Sequence, residues 1–290
     1  MTRRLPRPKI ASLALGGAIG AIVVVAILTA TAPVDMRPTL LLGAVIAVAA
    51  GLSATSIGVF GAVLVPGLLL LGIVPREAAP LSLLIQVVVI PLGATSHAAV
   101  GHVRREITLP LIVGGVIGSI GGALLASSVP SAVAARAVAI VIAVVGVIVL
   151  ASLRTGYASG SVTGEEIKPR RVGGIGVLAG FASGISGAGW GPIGVKLLIL
   201  SRIDPQHAIG SSLVGRVFMA IAAIITYMLS ATSQGGISPD LRLLVVLLVA
   251  STAAMVPGTL LIARMGRQRA SAIVALLSIG LALPSILALR

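Results

Sequence analysis

The chain has 290 residues, 57% of them hydrophobic and only 10% charged, with a mean hydropathy of +1.17. A soluble domain of this length carries about a quarter charged residues, so a soluble protein is excluded. No cysteine is present, which removes disulfides and thiolate chemistry, and three histidines with seven scattered carboxylates argue against a metal centre or other cofactor.

The net charge of +14 lies mostly in short segments between apolar runs, not in a stripe interleaved with aromatics. It therefore points to membrane topology, and nucleic acid is not an expected partner. The first basic cluster, Arg3, Arg4, Arg7 and Lys9, precedes an apolar stretch from Ile10 to about Thr29. Ala30-Thr31-Ala32 has the small-x-small form of a signal-peptide cleavage site. The stretch is longer than a usual signal core, however, and Pro33 would follow the cut, so residues 1–39 read as a basic segment and a retained first transmembrane helix.

Further apolar segments run approximately over 40–74, 78–100, 107–128, 132–153, 172–201, 207–229, 241–263 and 270–289. Most match the roughly 20 residues that cross a hydrocarbon core of about 30 Å. Segments 40–74 and 172–201 are too long for one ordinary helix. Each holds a Gly/Ser-rich interruption, Gly51 to Gly58 in the first and Gly180 to Gly189 in the second. Glycine frees the backbone and lowers helix propensity, so both segments read as helix–break–helix, either re-entrant or crossing fully.

Basic residues choose the parity of these segments. If each returns to the side it entered from, the clusters at 3–9, 104–105 and 264–269 collect inside with Arg154, Lys168, Arg170, Arg171 and Arg202. Only Arg37, Arg76, Arg136, Arg242 and Arg290 then fall outside. A single crossing would spread the charges evenly. The positive-inside rule prefers the first arrangement, with the N-terminus in the cytoplasm.

The two long segments align without gaps at an offset of 130 residues, pairing Ser53 with Ser183, Ser56 with Ser186, Phe60 with Trp190, Gly61 with Gly191, Pro75 with Pro205 and Ser82 with Ser212. Shared Ser, Pro, Gly and aromatic positions in one register indicate a duplication. The expected fold is an all-α polytopic membrane protein: residues 1–39, a first repeat over 40–153, a cytoplasmic linker over 154–171 and a second repeat over 172–290. Each repeat is one broken segment plus three transmembrane helices. Three crossings invert the second half, the plan of transporters whose sites lie where broken helices meet near the midplane. Gly114, Gly118 and Gly122 fit close helix packing instead.

The second half reads SGISGAGWGPIGVKLLILSRIDPQHAIGSSLVG and the first SATSIGVFGAVLVPGLLLLGIVPREAAPLSLLIQ. On these motifs, over roughly residues 40–289, the chain resembles the sulfite exporter TauE/SafE family of anion permeases. Gly-Trp-Gly-Pro is the more specific part, while Val59-Phe60 departs from a glycine run usual in the first half. The resemblance implies a multi-pass plasma-membrane permease or exporter for sulfite, a sulfonate or a related organic anion.

An anion in low dielectric needs positive charge or many aimed donors, and helix breaks supply backbone N–H groups and dipole ends. Ser53, Thr55, Ser56, Ser183 and Ser186 add hydroxyls to the breaks, with Gly189, Trp190 and Gly191 beside them. Two cations, Lys196 and Arg216, fall inside expected spans, and an intramembrane cation is a functional candidate by default. Lys196 is equally placed to snorkel to the interface. Arg216 occupies the repeat position of Gln86, so a guanidinium suited to bidentate oxyanion binding has as its equivalent an amide that donates a hydrogen bond. These residues form the candidate substrate-binding set, Lys196 aside, with no catalytic and no metal-binding residue.

His97 and His207, near segment ends, are candidates to carry protons. Asp35, Glu77, Glu106, Glu165, Glu166, Asp204 and Asp240 all fall in loops or at segment ends, so no acidic relay is expected at membrane depth. The partners expected are a small anion and the lipid bilayer, with a homo-oligomer left open. Two alternatives compete: a membrane scaffold or assembly subunit, and an intramembrane serine protease. Gly184-Ile185-Ser186-Gly187 and His207-Ala208-Ile209-Gly210 resemble rhomboid-type protease segments, but too few residues separate Ser186 from His207 to hold the span that family places between them.

Overall fold

The computed structural model describes residues 7–57, 60–99, 101–130, 168–188, 190–231 and 240–265, with scattered positions between 133 and 147. Among the described residues every regular element is helical. The elements are α1 (Arg7–Ala30), α2 (Arg37–Ile57), α3 (Gly61–Leu70), α4 (Pro75–Ala99), α5 (Arg105–Ser128), α6 (Pro169–Ser186), a π-helical turn (Gly191–Val195) continuing into α7 (Lys196–Leu200), α8 (Pro205–Ala231) and α9 (Leu241–Met265). Most of the 154–171 linker and the last apolar segment lie outside the described residues, as does much of 132–153.

Among the described residues, four stretches are long and apolar enough to cross a membrane: Arg37–Ala54, Glu77–Ala99, Arg105–Ser128 and Gln206–Ser230. At about 1.5 Å per residue, the 25 residues of α4 reach about 37 Å, more than a hydrocarbon core. The outer surface is apolar as well. On α5, Leu109, Val113 and Ile117 are all exposed at a spacing of four residues, a face suited to lipid and not to water.

The opposite face of α5 is glycine. A Cβ built on Gly114, Gly118 or Gly122 would lie 2.0 to 2.2 Å from the carbonyl oxygens of Gly173, Val177 and Phe181. From the other side, a Cβ on Gly180 or Gly184 of α6 would lie 2.3 Å from the carbonyl oxygens of Gly115 and Ser119. Positions rise together along both helices, so α5 and α6 run parallel, backbone against backbone. The expected packing role of Gly114, Gly118 and Gly122 is what they perform.

α2 and α9 also run parallel, with Gly51 on the Ser251 carbonyl and Gly43 beside Leu243 and Leu247. At the start of α9, the Arg242 Nη1 donates to the Thr31 carbonyl at 2.9 Å, and Arg37 donates to the Ala30 and Ala32 carbonyls at 3.1 Å each. Two guanidiniums thus cover the C-terminus of α1, where the helix dipole favours cations.

Both long segments break toward the C-terminal ends of their glycine-rich runs. α2 continues through Gly51 to Ile57, and α6 continues through Gly180 and Gly184 to Ser186. An interior glycine costs a helix only about 1 kcal/mol, and close helix approach offsets that cost. The chain turns at Gly187, whose φ of 65° favours glycine. Each segment then folds back on itself: Gly67 of α3 packs against Ile46 of α2, and Gly194 lies beside Ala179 of α6. The return legs end alike. The Ile73 N–H donates to the Leu68 carbonyl at 3.1 Å and the Ile203 N–H to the Leu198 carbonyl at 3.2 Å. Gly72 (φ 82°) and Arg202 (φ 62°) occupy the left-handed position that this helix termination requires.

Candidate functional site

α4 and α8 are largely apolar helices that cross antiparallel, Gly93 of one lying beside Leu213 of the other. Each carries a polar side chain into their contact. Gln86 is 1% exposed and Arg216 4%. Burial of such groups is tolerable only with hydrogen bonds, because an unpaired polar atom in low dielectric costs several kcal/mol. The Arg216 Nε donates to Gln86 Oε1 at 3.0 Å, and Nη2 donates to the same oxygen. Gln86 Nε2 in turn donates to the Gly187 carbonyl at 2.7 Å and to Ser82 Oγ at 3.0 Å. Ser82, one helical turn before Gln86, donates to the same carbonyl at 3.2 Å.

Gly187 ends α6 and touches the other break as well. A Cβ on Gly61, at the start of α3, would lie 2.2 Å from the Gly187 carbonyl oxygen, and one on Gly187 would lie 2.7 Å from that of Ala79. The two helix breaks therefore meet, with Gln86 and Arg216 at their junction. Ser186 is fully buried, its hydroxyl donating to the Ala182 carbonyl at 2.7 Å and accepting the Ala188 N–H at 3.1 Å. The Ser183 carbonyl accepts the Gly187 N–H at 2.7 Å. Ser183 stands in the last turn of α6 and Ser186 at its end, where its hydroxyl closes the turn. Tyr227 of α8 donates to the Gly184 carbonyl at 2.7 Å, tying the same end of α6 to α8.

The expected residues divide accordingly. Gln86, Ser183, Ser186 and Arg216 gather around the second break. Ser53 is buried on α2 and donates to the Ala50 carbonyl at 2.7 Å. Gly191 is buried at the start of the π-helical turn. Trp190 is 1% exposed in an apolar cluster with Leu111, Ile175, Ala179 and Leu198, and its Nε1 has no hydrogen-bond partner. Gly189 and the side chains of Thr55 and Ser56 lie outside the described residues.

In this arrangement the Gln86 amide donates to the Gly187 carbonyl and to Ser82 Oγ. The Ser–His dyad of a protease does not form. Ser186 bonds to backbone, and His207 Nδ1 lies 3.3 Å from the His102 carbonyl oxygen.

Ser82, Gly187 and Tyr227 belong to the network without having been singled out. Ser82 carried a signal, four residues before Gln86 and aligned with Ser212. Tyr227 carried one too, as a hydroxyl inside an apolar span.

Among the described residues the carboxylates stand at helix ends or in turns: Glu77 and Glu106 in first turns, Asp204 and Asp240 capping α8 and α9. The buried network is thus built from amide, hydroxyl, carbonyl and guanidinium groups. An Arg edge presenting two N–H groups is the geometry that takes an oxyanion.

No curated protein and no solved structure matches the chain. The family model for the sulfite exporter TauE/SafE matches residues 42–284, which span both breaks, Gln86 and Arg216. The chain belongs to the sulfite exporter TauE/SafE family, a family of membrane transporters.

Proposed function

We propose that the chain is a plasma-membrane permease for a small sulfur-containing or organic anion, such as sulfite or a sulfonate, working by alternating access between two inverted halves. The observation that carries this reading is the Arg216–Gln86 pair at the junction of the two breaks. Gln86 Oε1 stands where an oxygen of the anion would bind. An arriving anion competes for the guanidinium edge, releases Gln86 and loosens its hold on the Gly187 carbonyl. Substrate binding is thereby linked to movement of the second break.

Several features support the inverted duplication. Gly72 and Arg202 are 130 positions apart, as are the bonds Ile73 to Leu68 and Ile203 to Leu198. Gln86 and Arg216 are also 130 apart, and they touch. A residue meets its own equivalent only near the pseudo-two-fold axis, so this pair belongs at the centre of the two halves, where inverted-repeat transporters bind substrate. The α5–α6 and α2–α9 seams each join a helix of one half to the first helix of the other. The proposed divisions are 40–153 and 172–290, joined by 154–171.

The contacts also sort the basic residues. Arg37 and Arg242 lie at one end, while Arg104, Arg105, Arg170 and Arg202 belong to the other. The positive-inside rule puts the second end, with the N-terminus, in the cytoplasm. Efflux of an anion then runs down the inside-negative potential, about 2.3 kcal/mol per charge per 100 mV. The deciding experiment is flux of labelled sulfite and a sulfonate panel in proteoliposomes, wild type beside Arg216→Ala. Saturable flux lost in the variant is expected. A variant with wild-type flux removes Arg216 from the site, and absence of flux for every anion favours the scaffold reading.

A further inference from the structure

All three histidines of the chain meet at one end of the bundle, from three different elements. His97 lies in the last turn of α4, His102 in the α4–α5 turn and His207 in the first turn of α8. The Nδ1 atoms of His97 and His102 are 3.3 Å apart, and their ring centroids 5.4 Å. His102 and His207 stack edge to face with centroids 6.2 Å apart. All three rings are half-buried. Two ring nitrogens at this separation share one proton, one donating and the other accepting.

The α4–α5 turn is clamped onto α8. The Arg104 N–H donates to Ser211 Oγ at 3.1 Å, and His207 Nδ1 is 3.3 Å from the His102 carbonyl oxygen. Gly210 packs so closely that a Cβ there would lie 2.6 Å from the same oxygen. The charged groups on the surrounding elements are Arg104 in the turn, Arg105 and Glu106 opening α5, and Arg202 and Asp204 before α8. The Asp204 carboxylate accepts the backbone N–H groups of Gln206 and His207.

We propose that His97, His102 and His207 form a proton-binding site whose loading opens this end of the transporter. The inference rests on the permease reading, which assigns this end to the cytoplasm. A second proton on the His97–His102 pair removes the accepting nitrogen and sets two cations side by side. Like charges at this distance repel, so the turn lifts from α8 and the contact between the two proposed halves separates. An ordinary imidazole titrates near about pH 6.5, and a coupled pair does so in two steps. The sign follows: acidification on this side opens the end, and alkalinisation closes it.

The test uses two readouts. Because the chain has no cysteine, spin labels at Val103→Cys and Gln206→Cys report the turn-to-α8 distance in nanodiscs without any substrate. That distance should lengthen between about pH 7 and about pH 5, and stay fixed when His102→Gln or His97→Gln is added. Sulfite flux in proteoliposomes, with pH varied on this side alone, should rise several-fold over the same interval in the wild type and be flat in the histidine variants. A distance indifferent to pH, or unchanged pH responses in both histidine variants, overturns the proton site. A distance that responds as expected while no anion moves keeps the site and overturns the permease reading.

Discussion

The seam between α5 and α6 and the seam between α2 and α9 pair helices in the same parallel sense, but they are filled differently. Between α5 and α6, glycines on both helices bring backbone onto backbone over three turns. Between α2 and α9, among the described residues, Gly51 alone makes such a contact with a carbonyl oxygen. The rest is side chain: Leu40, Ala47 and Ala50 share a buried cluster with Val246, Leu247 and Ala250. In lipid no hydrophobic force draws helices together, so both seams rely on close packing. A backbone seam has no rotamers with which to absorb a change, whereas a side-chain seam does. The α5–α6 pair is therefore the stiffer body, and it carries Ser186 and Gly187, the end of α6 that Gln86 and Tyr227 hold.

The largest effect should come from Gly180→Val. Its Cβ alone would sit 2.3 Å from the Gly115 carbonyl oxygen, and only a shift of the whole helix relieves that contact. Overpacking costs about 1–3 kcal/mol even where side chains yield, so detergent-extracted variant should give no monodisperse peak in size-exclusion chromatography. A folded variant with wild-type flux would break the distinction between the seams.

Next comes Gln86→Leu, which strips the guanidinium of its amide partner and the Gly187 carbonyl of its shortest donor. A hydrogen bond to a charged group is worth about 1.5–3 kcal/mol, and the Gly187 carbonyl loses a donor besides, so the melting temperature should fall sharply. Gln86→Glu sharpens the same point. A carboxylate facing Arg216 occupies the place proposed for the anion, so flux should vanish; it cannot donate to the Gly187 carbonyl, so the ion pair offsets only part of the loss and the melting temperature should fall less than in Gln86→Leu. A fall as large as that of Gln86→Leu would mean that Gln86 serves folding alone.

Much of this was legible in the sequence, and what was not has identifiable causes. Hydropathy gave the helical, membrane-embedded character of the chain and the segments in which the four long apolar helices lie, because membrane thickness acts on segment length and composition. The offset of 130 placed Gln86 and Arg216 at equivalent positions, and the structure adds that they bond. The breaks fall within the glycine-rich runs, but the runs alone do not say where, since glycine serves both helix ends and close helix approach, and composition cannot separate these uses at Gly51, Gly180 and Gly184. Tyr227 and Ser82 were missed because their partners are backbone carbonyls, which every residue possesses. The histidine cluster was half visible: His97 and His207 drew notice as segment-end residues, but only the fold brings His102 between them.

A smaller effect separates a tether from the seam it secures. Tyr227→Phe deletes one hydroxyl, and the Gly184 carbonyl it serves is already on the stiff seam. The loss should be about 1 kcal/mol, the ordinary net worth of a hydrogen bond, read as a drop of a few degrees in melting temperature.

The smallest effect is expected at Gly43→Ala. The new methyl would approach Leu243 Cδ1 at 3.1 Å and Leu247 Cδ2 at 3.5 Å, both the far ends of flexible side chains. Alanine also raises helix propensity by about 1 kcal/mol over glycine. The mild crowding and the gain in propensity oppose each other, so the melting temperature should move by no more than a degree or two. Flux should be unchanged, because α2 and α9 readjust through leucine rotamers. A collapse at Gly43→Ala comparable to that at Gly180→Val would mean that the α2–α9 seam is as unyielding as its counterpart, and the stiffness assigned to α5–α6 would lose its basis.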